Sequence, residues 1–535
     1  MARPARCRHL RQSNAATDRQ SGLRNLLFST QTPQNRTIFS LAGVPFRASL
    51  AVWSLNRILS SSCQSLEPLI YHWCTVRIVK ASEAILSIAP SKIPSMVKQG
   101  RIKIAVVGLG RIGLPTAAIL AKAGAHVLGA DISTKVVASL NQGECKFVDE
   151  PGLPRMVREQ VDEGRLEATT DVGKAVSCSN ITIISVPTPV DDRKTPDYSS
   201  VKNASTQTGR NLRKGSIVVV ESTVGPGTVE NLVQPILEGE SGMKGGKDFG
   251  LASAPERSDP GNILANMKSV PRVVGATDAQ TLGIVSALYR TALGADVIQT
   301  SNPKTANAIK LTENLFRDVN IAFANEFSLL FEKLGIDSIE VINGCATKYN
   351  FLPHYPGAGV GGPCLPSNSY YLISEGVKAG NIPYMIRMAR EINDRMPDHV
   401  VELVSEAMNE VRKNIRGSKI ALLGVAYKPN IKDIQLTPAE EIWRRLTEMG
   451  GKISIHDPMY VGEVVFGTKV RSMDGAVRGA DCIVIATGHK EFKSLDLETL
   501  GKSMRSKVLV DGRNIFDPDV AARAGFSYRG VGRGR

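Results

Sequence analysis

The feature that most constrains this chain is a glycine-rich turn between an apolar strand and a helix. Residues 102–107 form a short β-rich run, and Gly108, Gly110 and Gly113 follow it in the spacing Gly-x-Gly-x-x-Gly. A helix is predicted over residues 115–123, a second strand over residues 125–130, and Asp131 ends that strand. Such glycines let the backbone approach a pyrophosphate at a helix N-terminus. A carboxylate at this place accepts hydrogen bonds from an adenosine ribose and repels a 2′-phosphate, so the motif favours NAD over NADP. A glycine-rich turn without a ligand is the alternative.

The strand–helix alternation occurs twice along the 535 residues. Further apolar strands are predicted at residues 180–186 and 216–220. After residue 417, residues 419–424 (Lys-Ile-Ala-Leu-Leu-Gly) resemble residues 103–108 (Lys-Ile-Ala-Val-Val-Gly), and two more strands repeat in the same order. Alternating strands and helices indicate parallel sheets covered on both faces.

Between the two repeats the helical period dominates. Residues 303–334 predict one long helix with Phe323, Phe327, Leu330 and Leu334 on a single stripe, and a second helix is predicted over residues 384–413. The predicted fold is therefore α/β, with two doubly wound Rossmann-like domains joined by a long-helix central domain. Two nucleotide-like ligands, one on each Rossmann-like domain, would meet in the cleft between them.

The net charge of +15 is unevenly distributed. Residues 1–95 contain twelve Lys or Arg against three Asp or Glu, a net of +9, so the remaining residues carry only +6. The predicted boundaries are a disordered leader or over-extended N-terminus at 1–95, an NAD-binding domain at 96–300, a long-helix central domain at 301–413 and a second nucleotide-binding, Rossmann-like domain at 414–535. The leader has the composition of a mitochondrial or plastid transit peptide; the alternative is a start at Met96 and a cytoplasmic location.

Charge and cysteine usage exclude several classes of protein. Once the leader is set aside, no motif supports nucleic-acid binding. No apolar run reaches the roughly 18 residues of a membrane span. The cysteines show neither CxxC nor paired Cys/His spacing, so no metal site is expected.

Three groups of residues are candidates for chemistry. Cys364 lies in a glycine-rich run and is a candidate nucleophile, with a buried inert Cys as the alternative. Lys310, Asn314 and Arg317 recur at i, i+4 and i+7 on one helix face, where they suit an oxyanion or a proton transfer; a solvated polar face is the alternative. Lys428 lies where a second phosphate loop is expected, and a solvated loop lysine is the alternative.

Taken in order, these residues resemble the UDP-glucose/UDP-N-acetylmannosamine dehydrogenases, which are NAD-dependent nucleotide-sugar 6-dehydrogenases. The resemblance covers about residues 102–518 and rests on eight motifs. They are residues 108–115 (Gly-Leu-Gly-Arg-Ile-Gly-Leu-Pro), 186–189 (Val-Pro-Thr-Pro), 221–227 (Glu-Ser-Thr-Val-Gly-Pro-Gly), 254–257 (Ala-Pro-Glu-Arg) with 260–261 (Pro-Gly), the Lys310/Asn314 helix, 361–364 (Gly-Gly-Pro-Cys), 424–429 (Gly-Val-Ala-Tyr-Lys-Pro) and 511–514 (Asp-Gly-Arg-Asn).

The resemblance implies that residues 301–413 are a dimerisation domain and that residues 414–535 bind the UDP-sugar. It implies a homodimer and a reaction in which two NAD⁺ oxidise the C6 alcohol of a UDP-sugar to a uronate. It implies that Cys364 traps the aldehyde, that Lys310 and Asn314 steady the oxyanion, and that Glu256 lies near the reacting carbon. The implied cofactor contacts are Gly108, Gly110, Arg111, Ile112, Gly113, Asp131, Thr188, Thr223 and Gln435. The implied substrate contacts are Arg257, Ser258, Lys310, Asn314, Arg317, Gly361, Tyr427, Lys428 and Arg513.

Details of the motifs indicate a substrate branch and some departures from the family. Pro260 occupies a position where the UDP-glucose members carry Glu, so UDP-N-acetyl-D-mannosamine is the first choice and UDP-N-acetyl-D-glucosamine the second. Asn368 replaces the family's Asp after the Cys and cannot act as a base, and Gln435 replaces an Arg that reaches NAD. Two alternatives to an active four-electron enzyme follow: a non-catalytic nucleotide-sugar-binding homologue and a two-electron hydroxyacid dehydrogenase.

Overall fold

The computed structural model describes residues 84–534, and the first part of this region is built on an eight-stranded sheet. The strands are β1 (Lys103–Val107), β2 (His126–Ala130), β3 (Leu166–Thr169), β4 (Ile181–Ile184), β5 (Ile217–Val220), β6 (Gly250–Ser253), β7 (Arg272–Ala276) and β8 (Val297–Thr300). Their spatial order is β3-β2-β1-β4-β5-β6-β7-β8, and only β6 and β7 pair antiparallel. The order reverses beside β1, which is where doubly wound sheets open a ligand crevice.

Helices cover both faces of this sheet, so β4 and β5 are buried along their whole length, as in parallel sheets generally. A π-helical turn at Val229–Val233 precedes one of these helices. The helices are α1 (Ile93–Lys98), α2 (Gly113–Lys122), α3 (Thr134–Asn141), α4 (Leu153–Asp162), α5 (Val172–Ser177), α6 (Ser199–Asn211), α7 (Gln234–Ser241), α8 (Ile263–Ser269) and α9 (Ala279–Leu293).

The first domain begins upstream of the boundary predicted at residue 95. Residues 85–92 form two short 3₁₀ turns, and Ile93 is fully buried against the sheet domain. The Gln280 side chain on α9 donates to the carbonyls of Leu86 (3.0 Å) and Ile88 (2.8 Å). The predicted start at Met96 therefore falls inside α1, and residues 84–95 are part of the fold. The rest of the predicted leader lies outside the described residues.

Four helices form the central region: α10 (Pro303–Leu334), α11 (Ser338–Cys345), α12 (Leu365–Lys378) and α13 (Tyr384–Glu410). The bounds of α10 are those predicted, and α13 ends three residues before the prediction. Asn302 caps α10 by accepting from Thr305 N at 2.8 Å, with Pro303 at the first helical position. In the described chain, Phe323, Leu330 and Leu334 of the predicted apolar stripe are exposed.

A buried polar network joins three of these helices. The Asp318 carboxylate on α10 accepts from Arg390 Nη1 on α13 at 2.6 Å and from Ser369 Oγ on α12 at 2.9 Å. Asn393 donates to the same carboxylate at 2.9 Å. Because all four side chains are buried, the network fixes how α12 lies against α10.

The last part of the chain is a second parallel sheet, of five strands. They are β9 (Lys419–Leu423), β10 (Lys452–His456), β13 (Cys482–Ile485), β14 (Val508–Asp511) and β15 (Ser527–Gly530), while β11 (Val464–Val465) and β12 (Thr468–Lys469) form a small hairpin. The five-strand order is β10-β9-β13-β14-β15. The helices are α14 (Pro438–Glu448), α15 (Met473–Val477), α16 (Leu497–Ser503) and α17 (Pro518–Arg523).

The predicted fold class is confirmed, since two Rossmann-like sheets flank a region of long helices. Within residues 84–534, no helix is both long enough and apolar enough to cross a membrane.

Candidate active site

A cavity of about 490 Å³ lies where the three parts of the chain meet. Its walls come from the loop after β6, the N-terminal half of α10, the segment before α12 and the loops after β9, β13 and β14. The cavity thus lies at the carboxyl ends of the strands of the second sheet, where open parallel sheets bind ligands. Ten of the residues that the sequence predicted line it: Arg257, Ser258, Lys310, Asn314, Arg317, Gly361, Cys364, Tyr427, Lys428 and Arg513.

Cys364 immediately precedes α12 and is accessible from the cavity. Its carbonyl accepts from Asn368 N at 2.8 Å, which starts the first turn of the helix. Burial by the surrounding protein raises the pKa of the thiol, and the positive charge of Lys310 opposes that increase. The N-terminus of a 14-residue helix also favours a thiolate.

Lys310 is buried, with 7% of its surface exposed, and faces the same cavity. Burial lowers the pKa of its ammonium group, while Cys364 and Glu313 oppose the decrease. A thiol with a raised pKa beside an amine with a lowered pKa makes proton exchange between the two groups easier than it is in water.

Asn314 lies one turn beyond Lys310 and is held by Asn368. Its side-chain Nδ2 donates to Asn368 Oδ1 at 2.6 Å. Asn368 is buried and does not line the cavity. The amide of Asn368 therefore orients Asn314 and brings no negative charge to the thiol.

Glu256 lies behind the cavity wall rather than in it. Its Oε1 accepts from the backbone N–H groups of Arg257 and Ser258, both at 2.7 Å, and from Ser258 Oγ at 2.5 Å. Its other oxygen forms an ion pair with Arg272, which also pairs with Glu221. This carboxylate shapes the loop that carries Arg257 and Ser258, and its expected place near the reacting carbon stays a prediction.

Glycines allow the second sheet domain to pack onto the Cys364 segment. Gly362 has a φ of +90°, and a Cβ there would lie 2.5 Å from the Tyr427 ring. At Gly361 a Cβ would lie 2.5 Å from the carbonyl oxygen of Leu436. Gln435 contacts this segment through its backbone, because its carbonyl accepts from Gly362 N at 2.9 Å, while its side chain is exposed.

Two of the arginines that line the cavity have defined partners. Arg257 Nε donates to Glu313 Oε2 at 2.9 Å. Arg513 Nε donates to the carbonyl of Ala486 at 2.8 Å, and burial lowers the pKa of Arg513 to about 10. Both arginines are therefore oriented from within the protein.

The glycine-rich turn after β1 has the shape that a dinucleotide requires. Gly108 has a φ of +97°, and a Cβ there would clash with the carbonyl of Ser185. A Cβ at Gly113 would clash with the Gly108 carbonyl, whereas a Cβ at Gly110 would meet nothing within 4 Å. The first and third glycines are thus needed by the fold, and the second leaves open space where a pyrophosphate fits.

Asp131 is held beside this turn at the end of β2. Its Oδ2 accepts from Leu109 N at 2.9 Å and its Oδ1 from Ser133 N at 2.9 Å. The carboxylate remains partly accessible. These residues fit NAD, because a carboxylate at this position of a dinucleotide-binding fold accepts hydrogen bonds from the ribose.

Arg111 and Ile112 complete the turn. Ile112 is the residue before α2. Arg111 Nη1 lies 2.9 Å from Asp149 and 3.3 Å from Glu150, and its Nε lies 3.9 Å from Asp433 of the second sheet domain. The predicted cation near the pyrophosphate is therefore already paired with carboxylates from both sheet domains.

Thr188 and Thr223 lie together on the loops after β4 and β5. Thr188 Oγ1 donates to the carbonyl of Thr223 at 2.8 Å. The carbonyl of Thr188 accepts from the hydroxyl of Tyr371 on α12. Since α12 begins directly after Cys364, this contact connects the two threonines to the helix that carries the thiol.

Sequence reasoning missed several residues of the site. Asp259, Glu313 and Lys493 line the cavity, and Arg272 lies behind it. Glu313 is three residues from Lys310, so helical spacing was available as a signal. Asp259 and Lys493 are ordinary charged loop residues in the sequence, and nothing local distinguishes them.

Comparison with known proteins relates the whole of this region to one family. Residues 102–293, 304–395 and 421–518 match, respectively, the NAD binding, central and UDP binding domains of the UDP-glucose/GDP-mannose dehydrogenase family. The chain is 40% identical to the UDP-N-acetyl-D-mannosamine dehydrogenase of Pyrococcus horikoshii over 81% of this chain and 100% of that protein. It is 34% identical to the UDP-N-acetyl-D-glucosamine 6-dehydrogenase of Pseudomonas aeruginosa over 78% and 98%. A solved structure of the UDP-D-ManNAc dehydrogenase from Pyrococcus horikoshii superposes with a TM-score of 0.76 at 38% identity, covering 81% of this chain and 100% of that one.

Proposed function

The chain belongs to the UDP-glucose/GDP-mannose dehydrogenase family, and we propose that it oxidises C6 of UDP-N-acetyl-D-mannosamine to the carboxylate through a covalent adduct on Cys364. As a member of this family it is an NAD-dependent UDP-sugar dehydrogenase. The observation that carries the proposal is that Cys364, Lys310 and a set of cations share one cavity between the two sheet domains. Pro260 and the N-acetylmannosamine relative favour the N-acetylhexosamine.

The thiolate of Cys364 adds to the C6 aldehyde that the first oxidation produces. The resulting thiohemiacetal holds the substrate until the second oxidation leaves a thioester, and water then releases the carboxylate and the free thiol. When bound, NAD⁺ accepts the hydride that each of the two oxidations releases. The residues that would hold it are those of the Gly108–Gly113 turn, together with Asp131, Thr188 and Thr223.

Lys310 and Asn314 act on the oxygen at C6. Lys310 donates a proton or a charge-assisted hydrogen bond to that oxygen when it becomes negative, and its lowered pKa lets it return the proton. Asn314 donates one N–H to Asn368, which leaves its other amide groups for the substrate. The basic residues Arg317 and Lys428 supply positive charge for the diphosphate.

We also propose a homodimer in which the exposed stripe of α10 is covered by a second copy. Phe323, Leu330 and Leu334 are each more than half exposed on a helix that the resemblance assigns to dimerisation. Light scattering should give about twice the chain mass, and replacing Phe323 and Leu330 with Lys should give monomer. A monomeric unaltered chain would contradict the dimer. A cytoplasmic location stays a prediction.

The test of the proposed reaction is the number of NADH molecules formed per sugar, measured by absorbance with the full chain. UDP-N-acetyl-D-mannosamine should give two NADH per sugar and exceed UDP-N-acetyl-D-glucosamine and UDP-glucose in kcat/KM. Cys364→Ala should lose steady-state turnover, with Cys345→Ala as the matched control on an exposed cysteine that does not line the described cavity. One NADH per sugar with accumulation of the free aldehyde would refute the mechanism.

Asn368 motivates the second candidate, a nucleotide-sugar-binding homologue with little turnover. This candidate predicts binding of UDP-sugar and NAD without formation of NADH. If the amide is what limits hydrolysis, Asn368→Asp should raise kcat by one or more orders of magnitude, because a positioned acid–base group contributes about 10²–10⁴-fold. Rapid turnover by the unaltered chain excludes this candidate.

A further inference from the structure

The carboxylate of Asp259 lies in the cavity and pairs with the two cations proposed to bind the diphosphate, Lys428 and Arg317. Asp259 lies on the loop after β6, and its Oδ2 accepts from Lys428 Nζ at 2.7 Å. Its Oδ1 lies 3.7 Å from Arg317 Nη1 on α10. Lys428 also donates to the carbonyl of Pro260 at 3.3 Å. All of these residues line the cavity, so the first sheet domain supplies an anion that cations from the other two parts of the chain surround.

The contact is partly open to solvent, and the side chain of Lys428 is 29% exposed. The side chain of Asp259 is 51% exposed and that of Arg317 is 49% exposed. Arg257 and Arg513, by contrast, are oriented by groups of the cavity wall, as described above. A carboxylate and a phosphate accept from lysine and arginine in the same way, so they compete for these two cations.

We propose that Asp259 is an internal counter-ion of the diphosphate subsite, which a UDP ligand must displace from Lys428 and Arg317 and which re-pairs with them when the ligand leaves. The proposal rests on the proposed function, because it takes the ligand to be a nucleoside diphosphate. Asp259 acts through the two cations and does not contact the reacting atoms. It therefore sets the affinity for the diphosphate and the rate of its release.

The pair also joins two domains. Asp259 belongs to the first sheet domain and Lys428 to the second, 169 residues further along the chain. When a diphosphate separates Asp259 from Lys428, one contact between the two domains is lost. A contact through the ligand replaces it. Without the carboxylate, Asp259 no longer competes with the diphosphate for the two cations, and the repulsion between two anions is absent.

The test compares Asp259→Asn with the unaltered full chain in calorimetric titrations with UDP and with uridine. The variant should bind UDP three- to tenfold more tightly, equivalent to about 0.7–1.4 kcal/mol at 1.4 kcal/mol per tenfold. Uridine has no phosphate, so its affinity should not change. Asp259→Glu keeps the charge and should stay within twofold of the unaltered chain. Asp474→Asn, an exposed acid that pairs with Arg478 on the second sheet domain, is the matched control and should have no effect.

Steady-state kinetics give a second readout that loss of structure would not produce. Asp259→Asn should lower KM for the UDP-sugar and slow dissociation of UDP, with kcat unchanged or lower. Weaker UDP binding, unchanged UDP binding or an equal gain for uridine would each overturn the role of Asp259. Failure of the unaltered chain to bind UDP would instead overturn the proposed function, so the two failures are distinguishable.

Discussion

Replacing Arg390 with Met should destabilise the central region and thereby misplace α12, the helix that begins directly after Cys364. Arg390 Nη1 lies 2.6 Å from Asp318 Oδ1, and the two side chains are 2% and 1% exposed. Met is unbranched like the arginine stem and has no charge, so the substitution removes the cation and leaves the carboxylate buried. Ser369 and Asn393 still donate to that carboxylate, each at 2.9 Å.

The magnitude follows from burial and from the hydrogen bonds that persist. Removing one partner of a buried ion pair costs about 3–5 kcal/mol. Since two donors to Asp318 remain, we expect the lower end, about 3 kcal/mol. Burial already raises the pKa of Asp318 and Arg390 opposes that increase, so the pKa rises further in the variant. A carboxyl group whose pKa is higher in the folded than in the unfolded state stabilises the fold at pH values below its unfolded pKa. This stabilisation is lost as the pH rises through the folded pKa. The loss should therefore be largest at neutral pH and shrink toward pH 4.

The assay is urea denaturation followed by circular dichroism at pH 7.5 and pH 5. Arg155→Met is the matched control, because Arg155 is 86% exposed in an i,i+4 pair with Glu159 and its loss should cost less than about 0.5 kcal/mol. The double variant Arg390→Met with Asp318→Asn should recover part of the loss at pH 7.5 and little at pH 5. Equal stability of the two Arg variants, or a loss independent of pH, would refute this account of the network.

Two further variants test the thiol and the cofactor turn. Lys310→Met should raise the pKa of the Cys364 thiol, since an opposite charge nearby lowers a pKa by about 1–3. Alkylation of the thiol by iodoacetamide at pH 8 should then be slower by at least about tenfold. Cys364→Ala is the blank, and an unchanged pH profile of the alkylation rate would contradict the prediction. Gly110→Val should fold normally, because a Cβ at this position meets open space. It should lose NAD binding, because the valine side chain fills the space where a pyrophosphate fits. Gly113→Ala should lower stability through its clash with Gly108, and the reverse pattern would refute the assignment of the turn.

The fold could be predicted from the sequence because its signals are local. Short apolar runs separated by helical stretches predicted seven of the fifteen strands of the described residues to within about two residues: β1, β2, β4, β5, β9, β10 and β13. The period of residues 303–334 predicted α10 with its observed bounds. The start of the first domain could not be predicted in this way. Residues 84–95 have no sustained period of their own and are ordered by contacts such as those of Gln280, 192 and 194 residues away.

The candidate site was predictable in its motifs and unpredictable in its ion pairs. Asp259 and Lys428 are 169 residues apart, and nothing in their local sequence says that they meet. Arg272 pairs with Glu256 and Glu221, so the carboxylate of Glu256 supports the loop that carries Arg257 and Ser258. Charged side chains look alike in a sequence, and only the packing of domains decides which ones pair.

The two Rossmann-like halves have the same residue type after their second strand but use it in opposite ways. Asp131 ends β2 of the first sheet and remains partly accessible beside the Gly108–Gly113 turn. Asp457 ends the corresponding strand β10 and is fully buried. It accepts from Val425 N at 2.7 Å, from Ala426 N at 3.2 Å and from His489 Nε2 at 3.0 Å. A carboxylate with no exposed surface cannot accept from a ribose.

His489 extends this difference to the loop that carries Lys428. Because Nε2 of His489 donates to Asp457, its Nδ1 is free to accept from Asn430 N, at 3.1 Å. Asn430 has a φ of +60° and follows Lys428 by two residues, so the buried pair fixes the turn from which that lysine extends. In the first half the acid is partly accessible beside the glycine-rich turn; in the second it is buried and holds the loop that carries Lys428. On the proposed function, the first arrangement would offer a hydrogen-bond acceptor to NAD and the second a positive charge to a diphosphate.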